Sequence, residues 1–206
     1  MEKLIKYSGI ALILGGLSFV ITNVAISPFV DFEAPFSEML TSSTFFYRMI
    51  FAALTVAFLL FGSVGLYLHH RRVERARFLR HATFILAFFG SAFLLANEWH
   101  QIFVLPEIAK ISPEVMDELG SSDKISSYVI GAMLALATFS IGWILFTVYV
   151  LIAKKLKSLG PALVIAGFLI IPLISGIFTP TWGGIIGSIS LGIGFTLIGI
   201  ELIKSS

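Results

Sequence analysis

The strongest constraint in this chain is its division into six long apolar runs separated by short charged connections. The runs lie at about 8–28, 45–68, 80–105, 127–153, 160–177 and 183–203, each near the ~20 residues an α-helix needs to cross a bilayer. Lipid offers no partner to a bare backbone, so such runs must be helical, and the period-two alternation of a closed barrel is absent. The expected class is all-α: one polytopic transmembrane domain over 1–206. With 57% hydrophobic and 13% charged residues, a water-soluble domain of this length would expose large apolar patches.

The first run follows Lys3 and Lys6, a charge order shared by signal peptides and first membrane helices. Its length exceeds a signal core, and Ile26-Ser27-Pro28 is a poor cleavage site, so it reads as a retained span.

Lys and Arg in short loops mark the cytoplasmic side. His69-His70-Arg71-Arg72 through Arg75, Arg77 and Arg80 form one basic connection, and Lys154, Lys155 and Lys157 form another. The alternate connections are acidic or neutral: Asp31, Glu33 and Glu38 in one, Glu107, Glu114, Asp117, Glu118 and Asp123 in the next, and an uncharged 175–183. With Lys3 and Lys6 before the first span and Lys204 after the last, both termini are expected in the cytoplasm of a cell-membrane protein. Net charge is only +2, and the basic residues sit beside apolar runs, so anionic lipid at the 69–81 connection is the expected partner and nucleic acid is not.

The two acidic connections resemble each other: Pro28 through Glu38 to Ser43 lies over Pro106 through Asp117 to Ser122 with one extra residue. Duplication would make spans one and two, three and four, and five and six three helical hairpins. Chance convergence of Ser-capped, acidic helix starts gives the same pattern. Ile108, Ile111, Val115, Met116 and Leu119 are spaced for a short amphipathic helix from Ser112-Pro113 to Gly120, with a smaller one over Pro35 to Leu40. Together these would roof the outer mouth of the bundle. Small residues mark expected helix contacts at Gly183 and Gly187, at Ser188 and Gly192, and at Ala11 and Gly15.

Span three holds the candidate site: Asn97, Glu98, His100 and Gln101 cover about half the helix circumference, opposite Trp99. Arg48, one turn into span two from the same side, is the expected partner of Glu98, and Asn23 near the outer end of span one joins them. In the functional reading these residues form an outward pocket that binds or passes a small lipophilic or polar-headed molecule. In the structural reading Glu98 pairs with Arg48, Asn97 and Gln101 bond between helices, and His100 sits at the water boundary. His69, His70 and His81 at the other end could ligate haem, but flanked by arginines they read better as a lipid-facing basic boundary.

No cysteine, G-x-S-x-G elbow, H-E-x-x-H pair or phosphate-binding glycine loop occurs. A non-enzymatic role without metal or cofactor is therefore expected. The alternatives are an accessory or assembly subunit that docks another membrane protein, and an intramembrane enzyme using Glu98 and His100 as an acid–base pair.

Ser42-Ser43-Thr44-Phe45-Phe46-Tyr47-Arg48, Asn97-Glu98-x-x-Gln101 and Leu159-Gly160-Pro161 resemble a widespread bacterial family of six-helix membrane proteins whose domain has no assigned function. The resemblance implies bacterial or archaeal origin and the same six-helix layout. It would make Arg48, Asn97, Glu98 and Gln101 family features, with no counterpart for His100, and it supplies no activity.

Overall fold

A computed structural model describes residues 1–71, 73, 76–120 and 126–205. It is all-helical among these residues, with six helices long and apolar enough to cross a membrane; the chain is a multi-pass integral membrane protein. Span one is α1 (Glu2–Val20), continued by a π-helical turn, Ile21–Ile26, and a 3₁₀ turn, Ser27–Phe29. After the short α2 (Phe36–Thr41) come span two, α3 (Ser43–His69), and span three, α4 (Arg77–Phe103). Short helices α5 (Leu105–Ile111) and α6 (Pro113–Gly120) precede span four, α7 (Ser127–Ala153). Spans five and six are α8 (Leu159–Ile177) and α9 (Pro180–Lys204).

Local chemistry sets several boundaries. Ser42, Ser126 and Thr179 each accept a hydrogen bond from the backbone N–H three residues on, capping α3, α7 and α9. Lys154 ends α7 in the left-handed conformation (φ 52°), an unusual choice for a non-glycine residue. Pro28 and Pro172 lack an N–H, so the carbonyls four residues earlier lose their α-helical donor. In span one the backbone shifts to a π turn, where the Ser27 N–H and hydroxyl both turn to the Thr22 carbonyl, the hydroxyl at 2.9 Å.

The six spans pack as a ring in chain order, each against its neighbours in sequence, and α9 closes on α1. Glycine makes that closure possible. A Cβ at Gly16 would lie 2.5 Å from the Gly192 carbonyl oxygen and one at Gly192 would lie 2.7 Å from that of Gly16, with Gly9 and Gly199 opposed in the same way nearer the termini. Backbones that touch leave no room for a side chain. Of the expected contact residues, Gly183 and Gly187 lie on α8 beside Ser175 and Ile171, Gly15 lies on Leu59 of α3, and Ala11 is buried.

The largest fully buried side chains, Trp143, Tyr149, Phe139, Phe146 and Phe195, lie in one cluster, where Trp143 Nε1 donates to Ser91 Oγ at 3.1 Å. A second cluster fastens the short helices over one end of the ring, with Leu40, Leu105, Ala109 and Met116 packed against Phe45, Met49 and Ile102. Asp117 Oδ1 accepts from the Ser37 N–H at 2.8 Å, joining the two acidic connections. The expected amphipathic helices correspond to α6 and α2, except that Ile108 and Ile111 fall in the separate helix α5, which ends just before Ser112. Of the residues carrying the internal likeness and the basic connection, Ser121, Ser122, Asp123, Arg72 and Arg75 lie outside the described residues.

Candidate functional site

The ring encloses a cavity of about 450 Å³ toward its roofed end, lined by residues of all six spans. Its walls are mainly apolar: Phe19, Val56, Leu94, Leu136, Phe139 and Phe168. Asn23, Arg48 and Glu98 lie nearer the roof. Arg48 is five residues into α3 and Glu98 five residues from the end of α4, about 7–8 Å below the helix ends at 1.5 Å per residue. Phe139, twelve residues into α7, lies roughly 18 Å down. The charged groups lie near the roof, and the deeper lining is mainly apolar with Thr55 and Ser140 among it.

Arg48 turns inward, as expected, but makes no ion pair with Glu98. Its Nε donates to Ser27 Oγ at 2.8 Å, Nη1 lies 3.3 Å from Met49 Sδ, and its guanidinium carbon is 5.5 Å from the centroid of the Phe32 ring. The π turn explains the change of partner, because it places Ser27 where Nε reaches it. The Ser27 hydroxyl then passes its own hydrogen to the Thr22 carbonyl, so Arg48, Ser27 and Thr22 form one relay.

Glu98 Oε2 is shielded from solvent and has no hydrogen-bond partner among the described residues. Ser188 Oγ, on the opposite side of the ring, is in the same condition. A buried acceptor or hydroxyl without a partner costs about 1–3 kcal/mol, and proteins keep few of them. By contrast, Thr22 and Thr55 donate to their own helix backbones at 2.8 Å, and Asn23 Nδ2 donates to the Phe19 carbonyl at 3.2 Å.

The polar arc of span three does not act as one group. Glu98 lines the cavity; Asn97, His100 and Gln101 do not. The His100 ring lies 6.2 Å from that of Tyr128 at the start of α7, and Tyr128 lies 6.4 Å from Phe36 of α2, so His100 belongs to the roof. Asn97 and Gln101 are half-buried and make no side-chain hydrogen bond among the described residues, so the expected interhelical bonds are not formed. Ser188 was legible only as a packing residue.

At the opposite end two members of the basic connection turn inward. Arg80, 5% exposed, donates through Nη1 to the carbonyls of His70, Arg71 and Val73 and lies over the Tyr67 ring. It fastens the connection to the ring instead of meeting lipid. His70 is fully buried against Tyr149, with Nδ1 donating to the Leu66 carbonyl at 2.9 Å. Burial pushes its pKa down to about 4, against a smaller upward effect of that bond. His81 Nδ1 is 2.9 Å from the Tyr67 hydroxyl. Each of these two histidines is thus occupied at Nδ1, and among the described residues no group of three or more His, Asp or Glu is arranged for a metal ion.

Scans of the chain against protein-family models, curated proteins and solved structures found no match, so the likeness to the six-helix family rests on its short motifs alone.

Proposed function

We propose that this protein binds or passes a small amphiphilic molecule in the six-helix cavity, with the molecule's polar, hydrogen-donating end at Glu98 and its apolar part among Phe19, Val56, Phe139 and Phe168. The observation that carries this reading is the unpartnered Glu98 carboxylate oxygen on a mainly apolar cavity of about 450 Å³. A large apolar pocket with few convergent polar groups is the usual form of a small-molecule site. Arg48 supplies donors beside the acceptor, and Asn23 and Ser188 complete the polar lining.

In the same proposal the chain sits in the cell membrane as three helical hairpins, with both termini and the basic connections cytoplasmic and the roofed end outside. The native chain has no cysteine, so orientation is read from single-cysteine variants. Ser205→Cys should react with an impermeant maleimide only after cells are opened, and Glu114→Cys in intact cells. The reverse pattern would invert the topology.

A long-chain primary amine with a diazirine in its tail tests binding. Irradiation should label buried cavity residues such as Phe139 and Phe168, and Glu98→Leu should suppress that labelling while leaving labelling of lipid-facing Leu54 unchanged. Labelling confined to lipid-facing positions in the native protein would overturn the proposal.

A further inference from the structure

A second cavity, also of about 450 Å³, lies at the basic end between the short 154–158 connection and the end of α9. Lys155, Lys157 and Lys204 line it, beside an apolar wall of Leu156, Leu159, Leu197 and Ile200. Lys154, in its left-handed conformation, turns the chain at the end of α7. Glu201 then holds the connection against α9, its Oε2 accepting from the Lys157 backbone N–H at 2.6 Å.

That contact matters for charge. Among the described residues Glu201 is the single carboxylate lining this cavity, and it is not in ion-pair contact with any of the three lysines. Among the described residues, three lysines and one carboxylate line this space, and that carboxylate is held by a backbone amide. Leu159, 60% exposed, extends the apolar wall onto the outer surface of α8. Ammonium groups above an apolar strip, at a helix end where bilayer and water meet, match an anionic headgroup above its acyl chain.

We infer that this cavity is a binding site for an anionic phospholipid, the phosphate held among Lys155, Lys157 and Lys204 and the first part of an acyl chain lying along Leu159, Leu197 and Ile200. It adjoins the 69–81 connection, since Lys155 acts electrostatically on His69 and His70, but among the described residues its lining includes none of that connection.

The test is native mass spectrometry and thermal denaturation of the detergent-solubilised full chain. Phosphatidylglycerol, phosphatidylcholine with the same acyl chains, and inorganic phosphate are titrated separately. Phosphatidylglycerol should give a retained adduct and raise Tm, and the other two should not. Lys155→Gln/Lys157→Gln/Lys204→Gln should weaken the lipid on the order of tenfold to a hundredfold, at ~1 kcal/mol per lysine or less. A charge-matched control, Lys3→Gln/Lys6→Gln/Arg77→Gln, should retain binding, and the triple Lys→Arg variant should restore it if the Gln variant folds poorly. Equal loss in the two Gln triples would show a general charge effect and overturn the inference. Reproduction of the Tm rise by phosphate alone would overturn the lipid assignment.

Discussion

Removing the Glu98 carboxylate should make the empty protein more stable. Glu98 Oε2 has no hydrogen-bond partner among the described residues, and Arg48 is already engaged by Ser27, Met49 and Phe32. Glu98→Leu therefore deletes a buried acceptor that has no hydrogen-bond partner among those residues and adds a methyl-rich side chain to an apolar cavity, against which stands the loss of its electrostatic attraction to Arg48. An unsatisfied buried polar group costs about 1–3 kcal/mol, and each kcal/mol moves Tm by roughly 2–4 °C in a chain of this size, so a rise of about 2–12 °C is expected, less what the lost attraction to Arg48 takes back. Tryptophan fluorescence during heating in detergent reads it, with Trp99, Trp143 and Trp182 as native probes. The same variant should lose amine-probe labelling, the exchange of stability for function seen where a site is kept deliberately unsatisfied. The reasoning is refuted if Glu98→Leu lowers Tm as far as Arg48→Leu does and the double variant is no worse than either. That outcome would mean carboxylate and guanidinium stabilise each other as a pair.

Ser27→Ala removes the acceptor of Arg48 Nε and the side-chain donor to Thr22. It should cost about 1.5–3 kcal/mol, seen as a fall in Tm that Ser27→Thr largely reverses. Gly192→Leu should force the α1–α9 seam apart and cost about 1–3 kcal/mol or more, whereas Gly131→Leu, with nothing within 4 Å of the added Cβ, should leave Tm nearly unchanged. His70 titrates near 4 in the fold against 6.5 when free, so the unfolded chain binds the proton first. Its contribution is full above pH 6.5 and is lost as pH falls from 6.5 to about 4, by about 3 kcal/mol at most. His70→Phe should flatten that part of a Tm-against-pH curve.

Hydropathy made the six spans legible because each helix satisfies its own backbone, and Ser42 fell in an expected Ser-capped start, whereas Ser126, which caps α7, was not singled out beside Ser121 and Ser122. The α6 helix was visible in the spacing of Val115, Met116 and Leu119 between Pro113 and Gly120. The π turn was not, although Pro28 carried its cause, because what Ser27 does with the freed geometry depends on Arg48 from another span. The expected Arg48–Glu98 pair failed for the same reason: position along two helices places both residues at one level but does not say which acceptor a long side chain meets first. Glu98 was singled out by the cost of a carboxylate in an apolar run. Ser188 was not, since a hydroxyl can usually donate within its own helix, and only the packed ring shows that this one does not. Gly9, Gly16, Gly192 and Gly199 were scattered in sequence, and their alignment follows from the first and last spans becoming neighbours.

That neighbour relation bears on how the protein is made. Spans leave the ribosome in order, so α1, α3, α4, α7 and α8 are in place before α9 exists, and until then the ring has an open side. Glu98 then lacks the wall across the ring from it, because Ser188 and Gly184 come with α9. The site is therefore completed only when α9 arrives, across a backbone-to-backbone seam that no side chain can bridge in advance. A chain ending before residue 180 has five walls and a polar flank open to lipid, which makes delivery of α9 the step at which a finished molecule can be told from an unfinished one. The closed seam also brings residues 9 and 203 together, so a short linker from residue 205 to residue 1, with new ends at 126 and 120, would keep every wall while making α9 and α1 consecutive in synthesis.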